Sequence, residues 1–524
     1  MTIVRVKSRG QTYLYESESY RNEEGKPRNR RVCIGKIDSK TGREIYHESY
    51  LEKMRKAGTP IVPYDDEPQF SVNDVKNAVQ KECGLTYFLH KISEKIGLQK
   101  VIEISNEALA SEIYTLAAHL VVNGNAFTHC KDWLENADLP YSVGDLSSQR
   151  ISEILQNITF SQRESFFREW AKLRSEQEYL AIDITSTSSY SDLIDDVEWG
   201  HNRDGERLAQ INLCLLFGES SGYPVYQTTY SGSIGDVKTL NMTLSKFAAI
   251  TENRPVLSVM DKGFYSKKNV DVLLEDEYNR KFVLAVPFSV GYAKDFVTKS
   301  SEIESFKNSI ISGKDAVFGV CRKMEWGEKN IDAHVFFNPQ KAVREKMHLI
   351  ADVNQMLENA LKEPEKFAQN KRYCRFLKFS KSGENYGISV KESEIENAVK
   401  HAGWLVIISN SVKTPKEILH IYRKKDVVEK GFDKLKNDLD LGRLRVHSDN
   451  AAQNKYFIGF IALILSCHIH NVMVETGLDK KYTVKQLCQI LQKHKVTLIS
   501  NNRILAPFSK EQLSIFSAFG FDSL

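Results

Sequence analysis

At 524 residues the chain is longer than a single hydrophobic core sustains, so several domains are expected, and 41% hydrophobic with 27% charged residues is ordinary for a soluble globular protein. The eight cysteines, at 33, 83, 130, 214, 321, 374, 467 and 488, are widely scattered and form no CxxC pair, so neither a zinc knuckle nor a disulfide framework is indicated, and a reducing cytoplasm fits. The net charge of +4 is unevenly spread: residues 1–58 hold 14 Lys and Arg against 8 Asp and Glu, which points to an anionic partner, nucleic acid being the commonest, for the N-terminal segment.

In chain order, short alternating runs (TYLYES, RRVCIGKI, REIYHESY) predict a small basic β-rich module over 1–65, its cations crowding the turns. No signal-peptide run opens the chain, and the longest apolar segment, FIGFIALIL at 457–465, is too short to span a bilayer and reads as a buried helix; no membrane partner is expected. After a linker at 58–68 the pattern turns helical over 69–175, either a DNA-docking unit or a plain helical scaffold. From Tyr179 the period changes to strands: YLAIDITS, LAQINLCLLF and PVYQTTYS, then a helix from Asp236, the buried strand PVLSVMD, another helix and KFVLAVP. Three strands that can be antiparallel followed by alternating helix and strand is the order of an RNase H-like α/β core, its first part at 176–287 and its second, from GWLVIISN, at 402–475. The charge-rich stretch 288–401 reads as a β-containing insertion, and 476–524 as a C-terminal helical segment.

The stretch 421–441, IYRKKDVVEKGFDKLKNDLDL, reads as one helix with two faces. Val428, Phe432, Leu435 and Leu439 make an apolar stripe, while Tyr422, Lys425, Glu429 and Lys436 lie within about 60° of one another on a neighbouring face. A solvated charged face is the ordinary reading of such a stripe. Against it, a lysine four residues N-terminal to a glutamate is the less favourable orientation, and Glu429 with Asp433 is a like-charge pair. Asp183 interrupts an apolar strand and Asp261 ends another before a glycine-permitted turn, so an RNase H-like core would set two aspartates at adjacent strands and let Glu429 supply a third carboxylate. Three hard oxygen donors are what two Mg²⁺ ions, roughly 4 Å apart, require for in-line attack at a phosphodiester.

These residues resemble the DDE transposases of bacterial insertion sequences, in the branch whose third motif reads Tyr, two residues, Arg, three residues, Glu, six residues, Lys. Here that motif is Tyr422, Lys425, Glu429 and Lys436; AIDITSTSSYS and VMDKGFYS are similar to the family's two aspartate motifs. The resemblance implies cleavage at an element's ends and joining of the freed 3′-hydroxyl to target DNA, with two Mg²⁺ ions, for which Mn²⁺ substitutes, on Asp183, Asp261 and Glu429. It implies phosphate contacts from Tyr422, Lys425 and Lys436, a homodimer bridging two DNA ends, and a bacterial, cytoplasmic enzyme partnered by its terminal repeats and target DNA. Lys425 stands where the family usually has arginine, and a lysine cannot make the bidentate fork to a phosphate; Arg423 lies about 120° away and cannot replace it.

A two-metal nuclease without strand transfer and a non-cutting DNA-binding regulator are the rival readings. Other polar residues have plainer explanations: His201 and Asp204 as loop residues, Asp236 as a helix cap, Trp404 as a core residue rather than a base-stacking one, and Cys467, His468 and His470 as core or interface groups.

Overall fold

A computed structural model describes residues 2–8, 10–22, 25–38, 42–57, 70–124, 127–174, 178–252, 256–275, 280–312, 315–382, 385–500 and 502–521; the expected linker at 58–68 lies outside them. The chain forms two compact units, Met1–Lys81 with Val496–Ala506, and Glu82–Lys495 with Pro507–Leu524.

In the first unit the alternating runs form an antiparallel meander of Thr2–Ser8, Gln11–Arg21, Pro27–Ile37 and Glu44–Tyr46. Leu14, Ile34 and Tyr50, the last from helix Glu48–Lys56, make its small core. Arg28, Arg30 and Arg31 stand in the exposed half of a strand that begins before the RRVCIGKI run, so these cations do not crowd a turn as expected; the register continues past them and pairs Glu18 with Arg30. The C-terminal stretch expected as helices also contributes the strand pair Lys495–Ile499 and Asn502–Leu505, reversing near Ser500, whose φ is 53°.

The second unit is built on a nine-stranded sheet. Its strands in chain order are β1 (Leu180–Ser188), β2 (Gln210–Gly218), β3 (Pro224–Ser231), β4 (Leu257–Met260), β5 (Lys281–Val286), β6 (Ser309–Ser312), β7 (Asp315–Trp326), β8 (Lys329–Phe337) and β9 (Trp404–Ser409). They lie side by side as β6-β7-β8-β9-β5-β4-β1-β2-β3. β1, β2 and β3 are antiparallel neighbours, and β4 and β5 run parallel to β1 on its other side, which is the RNase H-like arrangement. The segment 288–401 extends the sheet through β6 to β8, while its hairpin Leu377–Ser382 and Asn385–Val390 packs with helix Pro339–Lys362 around a separate core of Val353, Met356, Ala360, Phe376 and Leu377.

The apolar segment at 457–465 lies in a longer helix, Asp449–Thr476, long and apolar enough by length and composition to cross a membrane; 83% of its most apolar window is buried inside the protein. Asn454 on this helix donates to the Leu155 and Ile158 carbonyls, at 2.9 and 2.8 Å, tying it to the helical layer before β1.

The stretch 421–441 is not one helix. Helix Pro415–Lys424 stops at Lys425, helix Asp426–Asp433 follows, and Lys434–Asp438 forms a π-turn. The Lys425 N–H reaches the Tyr422 carbonyl at 3.3 Å and the Val428 N–H the Lys425 carbonyl at 3.1 Å, three-residue steps that tighten the chain there. The expected apolar stripe is buried: Val428, Phe432, Leu435 and Leu439 join the main core.

Candidate active site

Strand register brings two carboxylates together. β1 and β4 pair in parallel as Leu180 with Ser258, Ala181 with Val259 and Ile182 with Met260, so the next step along each strand is Asp183 and Asp261. Asp183 stays within β1, opposite Leu215 of β2, whereas β4 ends and Asp261 caps the turn Lys262–Phe264 by accepting from the Lys262 N–H. Burial pushes the Asp183 carboxyl up to about 6, with the charge of Asp261 adding to the rise. The Ile184 N–H, donating to Oδ1 at 2.8 Å, and the charges of Arg203 and Lys425 oppose it.

The Glu429 helix packs against β1, the strand of Asp183, and its neighbour β2. Gly431 makes the close approach possible, since a Cβ there would run into the buried ring of Phe217 on β2. Glu429 remains exposed, and its Oε1 accepts from Lys425 Nζ at 2.6 Å. Lys425 is only 7% exposed, and its Nζ lies 5.9 Å from the Tyr422 ring centroid. Burial lowers the Lys425 pKa, but its hydrogen bond to Glu429 and the charges of Glu429, Asp261 and Asp183 outweigh that effect, and the net shift is upward. Burial, then Asp261, Glu429, Asp426 and Asp183, raise the Tyr422 phenol, so it is an uncharged donor at neutral pH. Tyr422 and Lys425 thus both lie within the field of Asp183, Asp261 and Glu429.

Lys436 is placed differently. On the π-turn its Nζ binds both carboxylate oxygens of Asp204, at 2.8 and 2.7 Å. Asp204 belongs to the loop between β1 and β2, which two further ion pairs tie to the core, Arg203 to Asp236 and Glu206 to Arg443, each at 2.5 Å. Asp236 is not the helix cap expected of it: Gly235 holds that position, and the Asp236 carboxylate turns to Arg203. Arg203, whose charge acts on Asp183, was not singled out in the sequence. The HNRDGERL block was a signal, but only the folded loop shows which of its charges returns to the carboxylates.

Of the remaining sequence candidates, Cys467 and His468 are buried, Trp404 and His470 are partly buried and His201 is exposed. Trp404 packs on Phe337 with centroids 4.8 Å apart. His468 is buried, bonded to the Tyr223 hydroxyl at 2.5 Å, and pushed down to about 4 by burial; burial pushes the Cys467 thiol up to about 12. His201 lines a cavity of about 220 Å³ beside Arg203, Asp236 and Gly263.

The donor chemistry of Asp183, Asp261 and Glu429 fits a hard divalent cation, being all carboxylate oxygen. Their placement does not yet enclose one: among the described residues no three His, Cys, Asp or Glu side chains converge as a ligand set. Lys425 holds the Glu429 oxygen that would have to close the site.

The family model described as Transposase DDE domain matches residues 174–465, more than half of the chain. Among solved structures the chain is similar to a piggyBac transposase synaptic complex with hairpin DNA, determined by cryo-EM, at 11% identity and a TM-score of 0.36, over 73% of this chain and 70% of that chain. No curated protein matches. The matched segment begins before β1, ends within the long apolar helix and contains Asp183, Asp261 and Glu429, and on that match the chain belongs to the DDE transposase family, metal-dependent enzymes that cut and join DNA.

Proposed function

We infer that the protein is the transposase of a bacterial insertion sequence. It binds the element's terminal repeats, nicks the DNA at the element's ends and joins the freed 3′-hydroxyl to target DNA, as a dimer bridging two ends in the cytoplasm. Asp183, Asp261 and Glu429 hold two Mg²⁺ ions, which Mn²⁺ can replace. One observation supports this reading: the β1–β4 register that sets Asp183 beside Asp261, with the Glu429 helix packed on β1.

Bound Mg²⁺ supplies activation of the attacking oxygen and neutralises charge on the leaving one. The chain's own residues position the DNA. Tyr422, uncharged at neutral pH, donates its O–H to a phosphate oxygen, and Lys425 and Lys436 offer positive charge to the phosphates beside the cut. Lys436 exchanges Asp204 for phosphate as DNA enters. In nicking, a water oxygen bonds to phosphorus and gives up a proton while the P–O bond to the 3′-oxygen breaks and that oxygen takes a proton to leave as a hydroxyl; in joining, the freed 3′-hydroxyl loses its proton as its oxygen bonds to a target phosphorus, and the target 3′-oxygen leaves and takes a proton to become a hydroxyl.

The test is purified protein with labelled terminal-repeat DNA, Mg²⁺ and a target plasmid, run beside Glu429→Gln. Joined products that vanish in the variant support the reading. Cleavage without joining identifies a nuclease, binding without cleavage identifies a regulator, and full activity in Glu429→Gln refutes the third carboxylate.

A further inference from the structure

Lys425 is the one cation of the third motif that is buried. Its side chain is 9% exposed, against 54% for its partner Glu429, although a lysine at a DNA-facing position would ordinarily extend into water. An ammonium withdrawn from solvent needs compensating charge. Among the described residues its single ion-pair partner is Glu429, at 2.6 Å, while Asp261 and Asp183 act on it from farther off. The tightened backbone at Lys425, with its three-residue hydrogen bonds, ends the preceding helix where this side chain turns inward.

We propose that Lys425 is a built-in counter-ion of the carboxylate cluster. In the metal-free protein its ammonium supplies the positive charge that a divalent cation brings later, and Glu429 must exchange Lys425 for the metal before the site can close. The proposal rests on reading Asp183, Asp261 and Glu429 as the metal ligands, and it accounts for why those three do not converge while Glu429 is engaged. It also gives lysine a reason to stand at this position. A compact ammonium on a flexible four-carbon stem can leave one carboxylate and reach a nearby phosphate, whereas a guanidinium fork would hold a carboxylate by two bonds. DNA and metal are then coupled: a phosphate that draws Lys425 away frees Glu429, so each ligand raises the affinity for the other by the same factor.

The experiment is Mn²⁺ titration of the full-length, DNA-free protein, followed by calorimetry and by the thermal midpoint in EDTA and in excess Mn²⁺. Lys425→Met removes the charge and keeps the length of the side chain. It is expected to bind Mn²⁺ at least about tenfold more tightly than wild type, to melt lower in EDTA, and to gain more from Mn²⁺. Unchanged or weaker Mn²⁺ binding overturns the counter-ion role. Lys425→Gln repeats the measurement should the Met variant fold poorly. Glu429→Gln separates the two levels of the argument: if it binds Mn²⁺ as wild type does, the ligand assignment itself fails. If it loses the site while Lys425→Met binds no better than wild type, only the counter-ion proposal fails.

Discussion

Replacing Asp183 with asparagine tests whether the candidate site is held at a cost in stability. Burial and the neighbouring Asp261 raise this carboxyl from an ordinary 3.8 to about 6. At about 1.4 kcal/mol per tenfold, the ionised form costs roughly 3 kcal/mol in the folded state at neutral pH. Asparagine has nearly the same shape, and its side-chain oxygen can keep the hydrogen bond from the Ile184 N–H. The sign follows from linkage. A carboxyl raised in the folded state withdraws stability as pH climbs from the unfolded to the folded value, so wild type carries no penalty below about pH 4 and the full one above about pH 6. Metal-free Asp183→Asn should therefore be more stable than wild type by about 1–3 kcal/mol at pH 8, read as a higher thermal midpoint in EDTA, and the gain should fade toward pH 4. Metal-dependent cleavage should be lost in the same variant. A gain that is absent, or that stays constant from pH 4 to pH 8, would refute the argument.

Gly431→Ala forces a methyl against the buried Phe217 ring; overpacking of about 1–3 kcal/mol outweighs the roughly 1 kcal/mol that alanine adds in a helix, so melting falls and cleavage falls with it, and Phe217→Leu in the same chain restores both. Arg203→Met removes a positive charge that holds the Asp183 carboxyl down, so the acidic limb of the pH–cleavage profile should move to higher pH; an unmoved limb contradicts the coupling. Tyr422→Phe loses one hydrogen bond to a charged phosphate and should weaken binding of terminal-repeat DNA about tenfold in a gel-shift titration while leaving the thermal midpoint in place.

The sheet was legible where periodicity was strong. Asp183 is conspicuous because it breaks an apolar run, and Asp261 because a glycine turn follows it; the strand order then sets the two side by side. The apolar stripe of Val428, Phe432, Leu435 and Leu439 predicted the buried face of the Glu429 helix. A helical wheel assumes an unbroken helix, so it could not show the turn at Lys425 that sends this side chain inward, or the π-turn from which Lys436 meets Asp204. The ion pair of Arg203 with Asp236 escaped for a related reason: it depends on how a loop of about twenty residues folds back, and no period encodes it. The cations of the N-terminal module were expected to crowd its turns because they resemble turn composition, while the pairing of Arg30 across to Glu18, which carries the strand past them, is not a local signal.

Whether Asp183, Asp261 and Glu429 carry DNA joining is decided by supplying a pre-cut terminal repeat with a free 3′-hydroxyl and a supercoiled target plasmid, so that only strand transfer is scored. Covalent end-to-plasmid products are expected with Mg²⁺ or Mn²⁺, none in EDTA, and none with Asp183→Asn, Asp261→Asn or Glu429→Gln when each variant still binds the end. Joined products from any of these three variants at the wild-type rate would contradict that role.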